Sequence, residues 1–245
     1  MPFAEDRPGR LFETREKEIA AELGLSENSI RRDLRELDSA GLAVRVYGGA
    51  LPASPAVADY ATRTRVTENS KRRVAAAAAA LVEPGATVIL DGGTTALALV
   101  HALPRTQPGT IITHSPTIAA ALLDHAVDVL VIGGRLFKHS AVASGAAAVE
   151  AANRVSADVF FLGVTGIHPQ AGLTTGDADE AAMKRTLASR AAETYVLGSA
   201  EKIGTASRYE VLPLDAVTAA ITDVAPEDAI IGDLERAGAA LRRAG

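Results

Sequence analysis

The pattern of apolar positions divides the chain into two differently organised parts. In residues 26–41 these positions recur at helical spacing, so that Ile30, Leu34 and Leu37 fall within one narrow arc of a helical wheel. From residue 87 onward, short runs of consecutive apolar and β-branched residues alternate with helical stretches. Such runs predict strands that are buried on both faces. We therefore expect an α/β domain with a largely parallel sheet between two layers of helices.

Six runs are predicted as strands: TVIL (87–90), TIIT (110–113), DVLVIGG (128–134), DVFFLGV (158–164), TYVLGS (194–199) and TAAIT (218–222). A helix is predicted from about residue 63 to 82, because it contains a run of alanine, the best helix former. Residues 50–60, ALPASPAVADY, carry two prolines among small residues and predict a linker. The expected domains are a small helical module over residues 1–53 and the α/β domain over residues 54–245.

Composition narrows the classes of function. The 245-residue chain has a formal net charge of −5, so any contact with nucleic acid must be confined to a local surface. The absence of cysteine excludes disulfides, thiolate metal ligands and a cysteine nucleophile. The five histidines lack metal-ligand spacing, so no metal or cofactor is expected. With no signal peptide and no apolar run long enough for a bilayer, we expect a cytoplasmic protein without membrane contact.

The helix predicted within residues 26–41 has the surface of a DNA-recognition helix. Ser26 is a good N-cap and Gly41 a good C-terminal stop. The face opposite the apolar arc carries three arginines and an asparagine, which suit phosphate oxygens and base edges. With a preceding helix and a following hairpin, LAVRVYGGA, this is a winged helix-turn-helix; the alternative is a solvated helix that carries arginines. The candidate DNA-binding residues are Ser26, Asn28, Ser29, Arg31, Arg32, Arg35 and Arg45.

Residues 25–50, LSENSIRRDLRELDSAGLAVRVYGGA, resemble the winged helix-turn-helix of the DeoR family of bacterial transcriptional regulators, above all in IRRDL and GGA. Family members begin with a further apolar helix, whereas this chain has MPFAEDRPGRLF there, with Pro8–Gly9 in its middle. We therefore expect an incomplete module that lacks its first helix. The resemblance implies a transcriptional repressor that binds a double-stranded DNA operator. Because symmetric half-sites need paired modules, a homodimer or higher oligomer is expected.

The clearest site chemistry lies in TVILDGGTTALALVHAL (87–103). Asp91 ends a buried strand, Gly92 and Gly93 allow close approach of a ligand, and Thr94 and Thr95 open a helix whose amides point the same way. Such a loop suits a phosphate group. The spacing of neither GxGxxG nor a Walker loop is present, which argues against dinucleotides and nucleoside triphosphates. The alternative is a tight strand–helix turn capped by a threonine.

Other polar loops are expected at the same edge of the sheet, because the carboxyl ends of parallel strands surround one crevice. These loops are THS (113–115), GGR (133–135), GVTG (163–166) and SAEK (199–202). Together with the DGGTT loop they provide the first set of candidate effector-binding residues: Asp91, Gly92, Gly93, Thr94, Thr95, Thr113, Ser115, Gly133, Gly134 and Arg135.

The stretch from residue 63 to 223 resembles the DeoR sensor domain, a Rossmann-like fold related to ribose-5-phosphate isomerases. The resemblance implies that DGGTT is the phosphate-binding loop and that the effector is a phosphorylated sugar or related metabolite. It adds the acid-rich segment 172–185 and a late lysine, and so the candidates Asp179, Glu180, Lys184 and Lys202. The family usually has an aspartate three residues before that lysine, where this chain has Ser199.

The competing interpretation is a sugar-phosphate isomerase-like enzyme that uses the acids of DADE (177–180). Those isomerases follow their acids with a glycine-rich lysine loop, whereas here the helical stretch AAMKRTLAS follows directly. An appended DNA-binding module also fits a sensor better than an enzyme. We therefore expect a regulator without catalytic residues.

Overall fold

The N-terminal module of the computed structural model combines two helices with a three-stranded sheet. The structure describes residues 14–46, 49–57 and 60–245. The elements of the module are β1 (Thr14–Arg15), α1 (Glu16–Leu23), α2 (Glu27–Ser39), β2 (Ala43–Val46) and β3 (Gly49–Pro52). Strand β3 lies between β1 and β2 and pairs antiparallel with both. The predicted absence of a first helix concerns residues 1–13, which lie outside the described residues.

Helix α2 has the caps and the buried face that the sequence predicts. The Ser26 side chain accepts a hydrogen bond from the backbone N–H of Ser29 at 3.2 Å. Gly41 follows the helix with a left-handed φ of +70°, a conformation that glycine adopts without strain. Ile30 and Leu34 are buried against α1 and the small sheet. The prediction of an amphipathic second helix is thus confirmed.

The rest of the chain alternates strands and helices. The helices are α3 (Tyr60–Arg65), α4 (Glu68–Ala79), α5 (Thr94–Ala102), α6 (Pro116–Ala121), α7 (Ala146–Ala152), α8 (Ala178–Ala188) and α9 (Ala229–Arg236). The strands are β4 (Thr87–Leu90), β5 (Thr110–Thr113), β6 (Asp128–Val131), β7 (Arg135–Phe137), β8 (Val142–Ser144), β9 (Ala157–Leu162), β10 (Gly166–His168), β11 (Gly172–Thr175), β12 (Ala191–Leu197), β13 (Tyr209–Leu212), β14 (Ala219–Thr222) and β15 (Leu241–Arg243).

Seven strands form one parallel sheet in the order β15–β14–β12–β9–β4–β5–β6. The six predicted strands are all in this sheet, which confirms the predicted fold class. Two small antiparallel sheets, β7–β8 and β10–β11–β13, are additions that the apolar pattern did not predict. The strand order turns back between β4 and β9, and open α/β sheets bind their ligands at such a point.

The core lies on both faces of the large sheet, as the unbroken apolar runs predict. Neighbouring residues of β9 serve opposite faces: Phe160 packs in the layer with Met183 of α8, while Phe161 packs in the layer with Leu99 of α5. At one end of the sheet, β6 pairs with β5 alone among the described strands. Its apolar residues Val129, Leu130 and Val131 are all exposed.

The predicted single helix over residues 63–82 is wrong. The structure has two helices, α3 and α4, separated at residues 66–67, where Thr67 adopts a left-handed φ of 45°. Tertiary contacts hold this break: the Thr67 hydroxyl donates to Glu201, and the Lys71 ammonium donates to the backbone carbonyl of Arg63. Contacts that form only in the folded chain therefore interrupt the helix here, although the alanine run favours helix.

The predicted linker over residues 50–60 is also wrong in its first part. Residues 50–52 belong to β3, Ala53 forms a bridge with Ala206, and residues 55–57 form a 3₁₀ turn. The backbone N–H of Ala206 donates to the carbonyl of Pro52 at 3.1 Å. No helix in the described ranges is long and apolar enough to cross a membrane.

Candidate functional site

Helix α2 presents the predicted polar face, but its arginines are not equivalent. Asn28, Arg32 and Arg35 are exposed. Arg31 instead donates from Nε to Glu16 at 2.7 Å and from Nη2 to Glu27 at 3.1 Å. The hydrogen bond and the charge of Glu16 raise the pKa of Arg31. Arg31, although 45% exposed, therefore links α2 to α1. Arg35 donates from Nε to the Arg31 carbonyl at 3.2 Å, and Nε of Arg32 lies 3.7 Å from Asp33, so both remain on the exposed surface of α2 alone.

The remaining candidate DNA-binding residues lie at the edges of this face. Ser26 is the N-cap of α2, and the backbone N–H of Ser29 donates to it. Arg45 is exposed on β2, opposite Ala50 of β3. The tip of this hairpin, residues 47–48, lies outside the described residues. The structure thus brings α2 and the β2–β3 hairpin together in one module.

A second candidate site is a crevice at the carboxyl ends of β4 and β9, where the strand order turns back. It encloses about 540 Å³ of empty space, part of it open to solvent. Gly92 and Gly93 follow β4 and form one wall, Gly163 follows β9, and α5 begins at Thr94. The N-terminal amides of α5 and the glycine loop therefore border the same space, which favours an anionic ligand.

Both loop glycines are required by local geometry. A Cβ added at Gly92 would lie 2.1 Å from Cγ1 of Val142, so no side chain fits there. Gly93 has open space around it but adopts φ +115°, a left-handed conformation that strains other residues. The glycine pair lets the chain turn sharply from β4 into α5.

Beneath the loop, Asp91 is fully buried and binds four donors. Its Oδ1 accepts from the N–H of Gly92 at 2.7 Å and from Nε2 of His114 at 2.7 Å. Its Oδ2 accepts from the N–H of Gly163 at 2.9 Å and from Nζ of Lys184 at 2.6 Å. Burial alone would raise the pKa of Asp91, but the Lys184 charge and the hydrogen bonds outweigh it and hold that pKa well below its usual range. Asp91 is therefore an ionised carboxylate that organises the floor of the crevice.

On the other side of the crevice, Lys202 is buried and donates from Nζ to Thr95 at 3.1 Å and to the carbonyl of Leu197 at 2.8 Å. Burial lowers the pKa of Lys202 to about 8, although the charge of Glu201 opposes this. Ser199, which stands where the family usually has an aspartate, donates to Glu201 at 2.9 Å. The family's usual aspartate is thus absent here, and the carboxylate next to Lys202 is that of Glu201.

Three charged residues of the crevice are absent from the predicted effector set: Arg63, Lys71 and Glu201. Lys71 is buried, and its Nζ lies 3.8 Å from Glu201. Burial lowers the pKa of Lys71, while Glu201 opposes the shift. Arg63 donates to the carbonyl of His139 at 2.9 Å. Glu201 lies in the SAEK loop (199–202) that the sequence predicts at this edge, whereas Arg63 and Lys71 precede the first strand of the large sheet, and no pattern in the sequence places them at the crevice.

The structure brings together only part of the predicted effector set. Asp91 lies beneath the crevice. Seven candidates line it: Gly92, Gly93, Thr94, Thr95, Glu180, Lys184 and Lys202. Six candidates lie outside its lining: Thr113, Ser115, Gly133, Gly134, Arg135 and Asp179.

The acids of the isomerase-like segment have structural partners. Asp177 caps α8 by accepting from the N–H of Glu180 at 3.0 Å. Asp179 is exposed and pairs with Arg135 at 3.2 Å. Glu180 is buried in the crevice and accepts from the Thr175 hydroxyl at 3.3 Å. Of these acids, Glu180 alone lines the crevice, where its carboxylate can accept a ligand hydroxyl. Within the described chain, no group of three or more acidic or histidine residues could hold a metal ion.

Comparison with known proteins identifies both parts of the chain. A family profile for the DeoR C terminal sensor domain matches residues 66–224, and one for the DeoR-like helix-turn-helix domain matches residues 14–55. The HTH-type transcriptional regulator GlpR of Haloferax volcanii is 31% identical over 91% of this chain and 87% of its own length. The putative aga operon transcriptional repressor of Escherichia coli O157:H7 is 32% identical over 90% of this chain and 84% of its own.

The glycerol-3-phosphate regulon repressor of Escherichia coli K12 is 27% identical over 86% of this chain and 84% of its own length. Among solved structures, the full-length sorbitol operon regulator SorC from Klebsiella pneumoniae matches with a TM-score of 0.37 and 12% identity. That match covers 78% of this chain and 86% of SorC.

Proposed function

The chain belongs to the DeoR family of transcriptional regulators, and from this premise we propose that its crevice binds a phosphorylated sugar that alters operator binding. The observation that carries the proposal is the convergence of four cationic side chains with a glycine loop and a helix N-terminus. The cations are Arg63, Lys71, Lys184 and Lys202. The isomerase-like alternative is not supported, since the family is one of regulators. We also propose repression as the mode of control and a domain boundary near residue 55.

A phosphate group fits the charges and donors of this crevice. Phosphate offers strong acceptor oxygens and up to two negative charges, which lysine, arginine and backbone amides bind well. Glu180 and Glu201 provide acceptors on the same lining, suited to sugar hydroxyls. The relative named for the glycerol-3-phosphate regulon supports a phosphorylated, polyhydroxy class of effector.

The path from the effector to DNA runs through the segment that joins the two parts. Ala56, in the 3₁₀ turn after the wing, lines the crevice. The carbonyl of Pro52 and the side chain of Asp38 contact the α/β domain, the latter through Arg208 at 3.4 Å. A ligand that prefers one position of this segment would shift the position of α2 and so weaken operator binding by linkage.

We propose that the regulator acts in the cytoplasm as a homodimer or higher oligomer, because an operator with two half-sites requires two recognition helices. The exposed apolar edge strand β6 supports self-association, since an uncovered strand of this kind is a surface that another chain covers.

A thermal-shift screen tests the effector class. Phosphosugars and their unphosphorylated counterparts are compared, and a ligand at about 100 times its Kd should stabilise the protein by about 2.7 kcal/mol. We expect stabilisation by a phosphosugar and little change with the free sugar. Equal stabilisation by both members of a pair, or none with any phosphosugar, would exclude phosphate recognition in this crevice.

Operator affinity is expected to depend on the exposed arginines of α2. Arg32→Ala and Arg35→Ala should each weaken specific binding by roughly 1–3 kcal/mol, because each removes a phosphate or base contact. Fluorescence anisotropy with operator DNA measures the change. Arg154→Ala is the matched control, since its side chain is 74% exposed in the other domain. Two α2 variants that both bind like the parent protein would contradict the assignment.

Effector affinity is expected to fall as pH rises through about 8. Burial lowers the pKa of Lys202 to about 8, so Lys202 loses its charge in this range while a phosphate monoester remains doubly charged. Isothermal titration with the phosphosugar across this range measures the fall. Lys202→Met, which keeps bulk but has no charge, should show weaker binding and a smaller pH dependence. The same slope in both proteins would refute the role of Lys202.

A further inference from the structure

Both ring nitrogens of His114 face hydrogen-bond acceptors. The residue is buried at the end of β5, with Nδ1 2.8 Å from the carbonyl oxygen of Ala143 and Nε2 2.7 Å from Oδ1 of Asp91. A carbonyl oxygen only accepts. Asp91 also acts as an acceptor, because it is ionised and Gly92, Gly163 and Lys184 each donate to it. Each nitrogen of His114 must therefore donate a proton to its partner.

A neutral imidazole cannot satisfy this geometry. It carries one N–H, so its other nitrogen would direct a lone pair at an oxygen lone pair at less than 3 Å, with no water between them. Double protonation makes both contacts favourable and places the charge beside the ionised Asp91. The low pKa of Asp91 agrees with this arrangement, since the hydrogen bond from His114 is among its causes.

We propose that His114 is a buried imidazolium and a positioning residue for the effector, which acts on the crevice through Asp91 and Lys184. This inference rests on the proposed function of the crevice. His114 occupies Oδ1 of Asp91 and so leaves Oδ2 to Lys184, whose ammonium then lies fixed in the crevice lining. The ring itself does not contact the ligand space.

The charge of His114 changes what the crevice selects. Among described residues, the lining holds four cationic groups and the two carboxylates of Glu180 and Glu201, with Asp91 directly beneath. Without His114 these seven groups leave one positive charge. An imidazolium raises the excess to two, which matches the doubly charged form of a phosphate monoester. The site should therefore favour a dianion over a singly charged phosphate diester.

The groups that face His114 come from three segments: Asp91 after β4, the Ala143 carbonyl on β8, and, through Asp91, Lys184 on α8. Asp91 is the acidic partner among the described contacts of the ring. Ser115, the next residue, directs its hydroxyl to Thr117 and to the Ala141 carbonyl. The charge of His114 is thus balanced by the carboxylate of Asp91, which also pairs with the ammonium group of Lys184.

Nuclear magnetic resonance of the full chain tests the charge state directly. The chain has five histidines, so selective ¹⁵N-histidine labelling gives few signals. We expect both ring nitrogens of His114 to carry a proton in the ligand-free protein, because each faces an acceptor oxygen. His114→Gln assigns the signal by its loss. A spectrum with one unprotonated His114 nitrogen overturns the proposal, and the charge state itself is measured on the unsubstituted protein.

Titration with small anions tests the role. Inorganic phosphate and the singly charged dimethyl phosphate are the probes, and His114→Gln keeps a donor near the position of Nε2 without the charge. We expect phosphate affinity to fall about tenfold, and dimethyl phosphate affinity to fall less, because Coulomb energy scales with ligand charge. A purely structural effect would weaken both probes equally. His101→Gln, exposed on α5, is the matched control and should change neither.

The outcomes separate this inference from the proposed function. Unchanged phosphate affinity in His114→Gln, or an equal fall for both probes, overturns the positioning role. A neutral His114 in a protein that still binds phosphate overturns the inference alone. A protein that binds no phosphate but retains a doubly protonated His114 overturns the proposed function and, with it, the role of His114 in ligand selection.

Discussion

Asp91→Asn is expected to lower the free energy of unfolding of the sensor domain by about 3–5 kcal/mol, the cost typical of removing one partner from a buried ion pair. The physical reason is that Asp91 accepts from four donors on its two oxygens. An asparagine has one oxygen and one NH₂ group. Whichever way the amide is oriented, its NH₂ must face donors, and Lys184 loses its buried counter-charge.

Urea denaturation followed by far-ultraviolet circular dichroism measures this loss. Asp124→Asn is the control, since the Asp124 side chain is 79% exposed and its loose pairing with Arg105 spans 3.9 Å. Exposed substitutions of this kind usually change stability by about 0.5 kcal/mol or less. An Asp91→Asn protein within about 1 kcal/mol of the parent would show that the carboxylate does not organise the site, because even a neutral buried hydrogen bond contributes that much.

Gly93→Val is expected to abolish most of the effector response while operator binding without effector persists. The position has φ +115°, so a β-branched residue must either accept strain or move the loop. A loop that moves to relieve the strain displaces the first amides of α5 from the crevice. Because charge-assisted hydrogen bonds contribute roughly 1.5–3 kcal/mol each, phosphosugar affinity should fall more than about tenfold.

The chain offers a control for the strain itself. Gly85 has φ +86°, is exposed and, like Gly93, would place a Cβ in open space. Gly85→Val therefore carries the same type of backbone penalty far from the crevice and should leave the effector response unchanged. Thr94→Val and Thr95→Val, which remove one hydroxyl each, should weaken the response to a smaller degree. A full response in folded Gly93→Val protein would place the phosphate elsewhere.

The strands of the large sheet were predictable because burial on both faces leaves an unambiguous pattern. Runs such as TVIL and TIIT coincide with β4 and β5 residue for residue. The break at Thr67 was not predicted, because the alanine run dominates the helix propensity of this stretch and the contact with Glu201, which holds the break, is distant in sequence. Local propensity predicts elements well only where tertiary contacts agree with it.

The crevice was predictable in part for a similar reason. The DGGTT loop could be predicted as a ligand-binding loop because its glycines and the start of a helix are adjacent in sequence. The loops after β5 and β6 were expected to join it. Residues 133–135, after β6, are exposed and lie outside the crevice lining. Segment 141–143 packs over the loop after β5: the Ala141 carbonyl accepts from Ser115, and the Ala143 carbonyl bonds His114. This cover belongs to the small sheet that the pattern did not predict. Arg63 and Lys71 reach the crevice from α3 and α4, which precede the first strand of the large sheet. They are therefore not part of any loop that follows a strand of that sheet.

The bridge between Ala53 and Ala206 has a consequence for protein engineering. Strand β3 pairs with β2 on one side, while the chain that continues it hydrogen-bonds to the sensor domain through Pro52. A chimera that joins a foreign DNA-binding module at residue 55 would sever these contacts. A biosensor with a new target sequence is therefore better made by exchanging exposed residues of α2, such as Arg32 and Arg35, and retaining the wing with its native sensor.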